Sequence, residues 1–254
     1  MKNWFTVEGI DPQTFAISEY RHWEKTHCYL LLGQERAVLI DTGLGVSDIK
    51  SVTDALTDLP VTVLTTHVHW DHIGGHGRFD DVAVHEKERD WISSGFPLSL
   101  QDVKQQLTRL PCAFPEDFDI NAYGIFQGLP QRILHDGDVF DLGGRTVTVI
   151  HTSGHSPGHC CFYEPERAYL YSGDLIYRGC LDAFYPSTDP RLFYRSVKRL
   201  SEYRIGRVLP GHYDLDIPVS LIEKTESAFS QLDRSGLLKQ GNGLFDFGDI
   251  QIRI

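Results

Sequence analysis

Six residues constrain this chain more than any others: His67-Val68-His69-Trp70-Asp71-His72. In an extended segment, residues two apart point the same way, so His67 and His69 can converge on one ion. Asp71 and His72 come where the chain turns into Gly74 and Gly75, and they can aim at a second point beside the first. A lone histidine is ordinarily a satisfied core or surface residue, but an H-x-H-x-D-H run is not explained that way. Of the 12 histidines, seven fall in two short stretches, 67–76 and 151–159. The second stretch, Thr152-Ser-Gly-His155-Ser-Pro-Gly-His159, follows the β-type segment that ends at Ile150. Asp174 closes Ser172-Gly-Asp, and His212 closes Leu209-Pro-Gly-His. All of these lie just after expected strands, on tight Gly- or Pro-containing turns that let imidazoles crowd together.

Seven groups result: His67, His69, Asp71, His72, His155, Asp174 and His212. They suit two ions, with three ligands each and one shared carboxylate. His and Asp without Cys form a borderline-hard donor set, which fits zinc, iron or manganese rather than copper(I) or a thiolate site. Two Asp and one bridging hydroxide would leave two divalent ions with roughly one net positive charge, tolerable in an acidic protein.

Composition narrows the partners. The chain has 24 Lys+Arg against 35 Asp+Glu, a formal charge of −11. No run of Lys or Arg opposes it, and the densest stretch, Arg191 to Arg204, alternates with apolar residues like a helix face. A nucleic-acid partner is therefore not expected. No apolar run approaches the ~18 residues of a membrane span. Met1-Lys2-Asn3-Trp4-Phe5 lacks the apolar stretch of a signal peptide, so the expected location is the cytoplasm. The five cysteines contain no C-x-x-C and read as small buried side chains rather than disulfides.

The pattern along the chain predicts short strands at 15–18, 27–32, 37–41, 61–64 and 82–85. A helix is expected over 48–56 with Ser47 as its cap. Residues 86–134 carry helical spacing at 86–92 and 99–110 among scattered Pro and Gly. This reads as an inserted, lid-like, partly helical segment of a single domain over 1–254. Strands resume at 139–140, 146–150, 159–163 and 168–171. Helices at 190–203 and 218–232 flank a strand at 207–209, and a last strand ends the tail. There is also an internal echo. His27-Cys-Tyr-Leu-Leu-Leu-Gly-Gln-Glu-Arg-Ala-Val-Leu-Ile-Asp41 is similar to His159-Cys-Cys-Phe-Tyr-Glu-Pro-Glu-Arg-Ala-Tyr-Leu-Tyr-Ser-Gly-Asp174. Each is followed by a helix-bearing stretch and a strand running into histidine. Two such halves would face each other as an α/β–β/α sandwich, with Asp and His meeting at one edge.

The motif set, in this order, resembles the metallo-β-lactamase superfamily over essentially residues 10–232. The resemblance implies an α+β fold, a four-layer αββα sandwich with a di-metal site at one edge of its two sheets. It implies that His67, His69 and His155 hold one metal and that Asp71, His72 and His212 hold the other, with Asp174 bridging. Asp41-Thr-Gly43 matches the superfamily's early Asp motif, a carboxylate that orients the site. His159 matches a usually structural histidine. His22, His27, His76, His85, His135 and His151 match no ligand.

Two close metals would place a bridging hydroxide against a carbonyl while one ion steadies the developing oxyanion. Asp71 could orient that hydroxide and accept a proton. Tyr177, three residues after Asp174, could donate to the oxyanion. Two zinc ions are expected, with iron or manganese as substitutes, acting on a small acyl substrate. Leu39-Ile-Asp-Thr-Gly-Leu-Gly45, Phe79-Asp-x-Val-Ala-Val-His85, His135-Asp-Gly-Asp-Val139 and Ser172-Gly-Asp-x-x-Tyr177 together resemble the superfamily's acyl-CoA thioesterases. The alternatives are an N-acyl-homoserine lactone hydrolase, which shares the Asp-x-x-Tyr spacing, and a mononuclear-iron persulfide dioxygenase, similar only around Arg178-Gly-Cys180. A non-catalytic metal-binding module is the third. A homodimer is compatible with all of them.

Overall fold

The computed structural model describes residues 4–254. Met1, Lys2 and Asn3, the start of the segment read for a leader, lie outside the described residues. The chain packs as two compact units, Met1–Leu134 with Asp141–Arg145, and His135–Phe140 with Thr146–Ile254.

The first unit is built on one seven-stranded sheet whose strands follow chain order. They are β1 (Thr6–Asp11), β2 (Thr14–Ser18), β3 (His27–Leu32), β4 (Ala37–Ile40), β5 (Val61–Leu64), β6 (Val82–His85) and β7 (Arg132–Leu134). β1 to β4 pair antiparallel, and β4 to β7 pair parallel. Ala37-Val-Leu-Ile is buried throughout, as expected of a strand covered on both faces. Its register with β5 runs from Ala37 opposite Val61 to Ile40 opposite Leu64. The two strands therefore end level, and the segments starting at Asp41 and Thr65 leave the sheet side by side.

The crossover helix between them, α1 (Ile49–Leu56), is capped by Asp48, whose carboxylate accepts from the Lys50 and Ser51 amides. Ser47, expected as the cap, sits one residue too early. Asp is as good a cap as Ser, and here it immediately precedes the helix.

Residues 86–134 contain α2 (Arg89–Ser93) and α3 (Leu100–Leu107), the latter capped by Ser99. Val103, Leu107 and Tyr123 pack in one core with Trp4, Leu44 and Trp70. The Tyr123 hydroxyl donates to the Leu44 carbonyl at 3.0 Å. The segment returns as β7, which the sequence pattern missed because it is short and begins on exposed Arg132.

The second unit holds all but the last residue of β8 (Val139–Asp141), with β9 (Thr146–His151), β10 (Cys160–Glu164), β11 (Tyr169–Gly173), β12 (Gly179–Asp182), β13 (Arg207–Pro210), β14 (Leu244–Asp246) and β15 (Ile250–Arg253). A five-stranded sheet runs β13-β11-β10-β9-β8, and a three-stranded one runs β12-β15-β14. The helices are α4 (Pro190–Arg199) and α5 (Ser220–Arg234). α4 starts on Pro190 behind the Asp189 cap, the position where a missing N–H costs nothing. Phe193 of α4 stacks on Phe229 of α5, with ring centroids 4.9 Å apart, inside a core that includes Ile150, Leu170 and Val208.

The internal echo is real at the level of pairing. β3–β4 and β10–β11 are antiparallel hairpins, and β4–β5 and β11–β13 are parallel pairs joined through a helix. One difference matters below: the β11 register shifts between Tyr171 and Gly173, an extra residue just ahead of Asp174. All five cysteines are free thiols. Among the described residues no helix is long and apolar enough to cross a membrane.

Candidate metal centre

Each unit assembles its own ligand set. In the first, β5 delivers the chain into the loop that starts at Thr65. Asp41, just past β4, accepts from the Thr66 amide at 2.7 Å and from the Thr66 hydroxyl at 2.7 Å. It also accepts from His72 Nδ1 at 2.8 Å. With Nδ1 committed to a carboxylate, His72 presents its Nε2 lone pair. Thr66 Oγ1, its own hydrogen given to Asp41, accepts from His67 Nδ1 at 3.0 Å, which makes Nε2 the ligating atom of His67. That atom lies 2.9 Å from His69 Nδ1, and His72 Nε2 lies 3.6 Å from Asp71 Oδ2.

The loop closes on Gly74, where an added Cβ would sit 2.3 Å from the Gly45 amide nitrogen. Only glycine permits that approach, and the Gly74 amide donates to the Gly43 carbonyl.

Two further buried acids take part, Glu88 on this loop and Glu19 on the neighbouring loop after β4. Glu88 accepts from the Val68 amide, between the two histidines of the H-x-H, at 2.6 Å. Glu19 accepts from the Leu44 amide at 2.8 Å and from the Trp4 indole at 2.6 Å. Burial pushes the Glu19 carboxyl up to about 7, outweighing those two donors. His76 bridges Thr42 and Thr65 through both ring nitrogens, at 2.6 and 2.7 Å, and burial drives it down to about 3. It is a neutral cross-link, not a ligand.

In the second unit three candidate ligands come from three strand ends. His155 follows β9, and its Nδ1 donates to the Asp182 carbonyl at 3.2 Å, leaving Nε2 as the donor atom. Asp174 follows β11, and His212 follows β13. Asp174 Oδ2 lies 3.4 Å from His155 Nε2, and its Oδ1 lies 3.2 Å from His212 Nε2. One carboxylate thus faces two different imidazoles with two different oxygens. His159 uses both nitrogens structurally: Nδ1 donates to Thr152 Oγ1, and Nε2 accepts from the Asp174 amide at 3.1 Å.

Tyr177 is buried, and its hydroxyl donates to the Cys180 carbonyl instead of being held ready for an oxyanion. A buried hydroxyl needs a partner, and the turn into β12 supplies one three residues on. Its ring lies 5.8 Å from that of His212. The remaining histidines make local contacts, such as His22 Nε2 to the Leu107 carbonyl and His151 Nε2 to the Pro157 carbonyl.

Glu19, Glu88 and the Asp182 carbonyl carry no motif. Glu88 lies in the charged run Glu86-Lys-Glu-Arg-Asp90, which reads as a solvated face.

The sequence model of the metallo-beta-lactamase superfamily matches residues 22–212. The chain belongs to the metallo-β-lactamase superfamily. The matched span includes all seven ligand candidates. A human relative, acyl-coenzyme A thioesterase MBLAC2, is 31% identical over 233 residues, covering 83% of this chain and 82% of that protein. The hydroxyacylglutathione hydrolase of Rhizobium meliloti is 28% identical, covering 75% of this chain and 70% of that protein. Among solved structures, the superfamily protein ST1585 from Sulfolobus tokodaii superposes with a TM-score of 0.66 at 22% identity, covering 85% of each chain. The fold is the α+β metallo-β-lactamase fold, and the chain is a hydrolase of that superfamily with acyl-thioesterase relatives.

Proposed function

We propose that this chain hydrolyses a small acyl thioester at a centre of two divalent ions, zinc foremost. His67, His69 and His155 would hold one ion and Asp71, His72 and His212 the other, with Asp174 shared. The observation that carries this reading is the split of Asp174, one oxygen toward His155 at 3.4 Å and the other toward His212 at 3.2 Å. Donors bound about 2.05 Å from a tetrahedral ion sit about 3.3 Å from one another. The spacings within each unit, 2.9 to 3.6 Å, bracket that value. The nitrogens of His67, His72 and His155 are oriented by an oxygen on the opposite ring atom, the arrangement that metal-ligating imidazoles use. Every one of the seven side chains is a candidate ligand.

Bound divalent ions supply an acidified water and polarise the thioester carbonyl. The chain's own groups do the rest. Asp71, beside His72, orients the attacking water and takes up its proton; as the C–O bond forms the C–S bond breaks, and that proton passes to the departing thiolate. Asp41, through His72 and Thr66, fixes two imidazoles so that no reorganisation is needed during the reaction. The Tyr177 ring packs on His212 and keeps it in place. Exposed Phe184 and Tyr185, just past the Asp182 carbonyl that holds His155, offer apolar surface to an acyl chain. The thioester preference rests on the human and Rhizobium relatives, both named for thioester substrates. A cytoplasmic site of action fits the same reading.

The deciding experiment is a turnover screen across acyl thioesters, acyl-homoserine lactones and phosphodiesters, on protein of measured metal content. Thioester turnover that rises with metal to two ions per chain is the expected result. Turnover of lactones alone, or one iron per chain with oxygen uptake, would overturn it.

A further inference from the structure

Two segments of the second unit run outward from the ligands side by side, one from Asp174 to Arg178 and the other from His212 to Asp214. They touch in three successive pairs. The first is Asp174 with His212, at 3.2 Å. The second is Tyr177 with Tyr213, with ring centroids 5.8 Å apart. The third is Arg178 with Asp214, at 3.5 Å. Tyr213 adopts a left-handed backbone, φ 65°, which lays its ring over Gly179. An added Cβ at Gly179 would lie 3.1 Å from the Tyr213 ring and 3.3 Å from that of Tyr177. Arg178 is therefore held at a set distance from the ligands by two packed rings.

Its guanidinium is under-used. Arg132, Arg199 and Arg253 each grip a carboxylate at 2.6 to 2.8 Å. Charge-assisted bonds of that kind run about 2.7–2.9 Å. Arg178 reaches only 3.5 Å from Asp214, and its Nε is buried with no hydrogen-bond partner. The Arg178 side chain is 38% exposed and that of Asp214 59% exposed, so the pair is open to displacement. The other nearby acid, Asp249, is already held by Lys224 at 2.7 Å. The terminal NH groups that face Asp214 so loosely are a planar fork that fits an oxyanion offering two acceptors.

Resting on the thioesterase reading, we propose that Arg178 selects substrates whose thiol half carries an anionic group, a phosphate ester or a carboxylate. Asp214 is the group this anion displaces. The contact acts on binding, not on bond cleavage, so Arg178 sets KM and leaves kcat largely alone.

The test compares three thioesters with one acyl group: acyl-CoA (phosphates), acyl-glutathione (carboxylates) and acyl-N-acetylcysteamine (neutral). In Arg178→Ala, KM for the anionic substrates should rise about tenfold or more, the loss of one strong ionic contact. KM for the neutral one should stay within twofold. A response to CoA alone assigns the anion to phosphate, and a response to glutathione alone assigns it to carboxylate. Asp214→Asn should lower KM for the same anionic substrates, and Arg178→Lys should restore part of the loss. Equal change on all three substrates, or none, would overturn the proposal. If the wild type cleaves none of them, the thioesterase reading has failed. The anion contact is then read from equilibrium binding of S-ethyl-CoA and S-ethyl-glutathione. Binding that Arg178→Ala weakens tenfold keeps it, and binding that is unchanged or absent ends it.

Discussion

Asp41 and Asp174 stand at matching places in the two halves of the molecule, each following the second strand of a hairpin that pairs parallel with a later strand. Their work is opposite. Asp41 is used up by Thr66 and His72 and supports ligands from behind. Asp174 turns its two oxygens to two imidazoles. The surroundings differ in the same sense. The first unit draws four candidate ligands from six consecutive residues, a loop too tight to satisfy its own amides. Buried carboxylates meet the need, Asp41 for Thr66 and Glu88 for Val68, and a third, Glu19, serves Leu44 in the adjoining loop after β4. In the second unit each ligand follows its own strand, and neutral groups suffice: Thr152, His159 and the Asp182 carbonyl. Density of ligands in sequence is purchased with buried negative charge. Spread-out ligands need only the sheet.

Three measurements can break that contrast. The largest effect belongs to Asp174. Asp174→Asn should lower kcat/KM by about 10³, the several kcal/mol associated with metal-assisted charge stabilisation. It should also reduce bound metal measured by mass spectrometry. An active variant with full metal content would mean that the carboxylate is not shared between ions.

Next comes pH. The Glu19 carboxyl lies near 4.5 in the unfolded chain and is raised to about 7 in the folded one. The folded protein therefore holds that proton more tightly. The resulting stability is complete below about pH 4.5 and lost as pH rises through about 7. Integrated, this is about 3 kcal/mol. Urea melts of the metal-free protein at pH 5 and pH 8 should show the difference, and Glu19→Gln should remove it. A wild type and variant with parallel pH profiles would show that Glu19 carries no such charge penalty.

The smallest effect is that of Asp41→Asn, about 10- to 100-fold in metal affinity or activity, as for other residues that orient ligands. A competitive chelator titration reads it directly. A loss as large as that of Asp174→Asn would erase the distinction between the supporting acid and the shared one.

The contrast also explains what the sequence alone made readable. The candidate ligands stood out because metal chemistry needs His and Asp in a fixed order beside turns. The hairpins and parallel pairs could be found because their strands are apolar runs bounded by Gly and Asp. β1, β7, β12 and β14 were missed. Arg132-Ile-Leu134 and Gly179-Cys-Leu-Asp182 are too short to show alternation and are strands only by virtue of their neighbours. Glu19 and Glu88 were missed for a related reason. A buried acid that caps a loop amide looks like any surface acid until the loop is folded around it. Tyr177 shows the reverse failure: its spacing suggested a role for the hydroxyl, but a local carbonyl takes that hydrogen.

The extra residue between Tyr171 and Gly173 has a consequence for where Asp174 falls. A one-residue insertion in a strand sends the next side chain to the opposite face. Gly173 resumes the pairing beyond it, opposite Pro210, so Asp174 comes six residues after Ala168, where Asp41 comes only four after Ala37. The carboxylate that faces two imidazoles therefore stands further along the chain from its hairpin turn than the acid that braces His72.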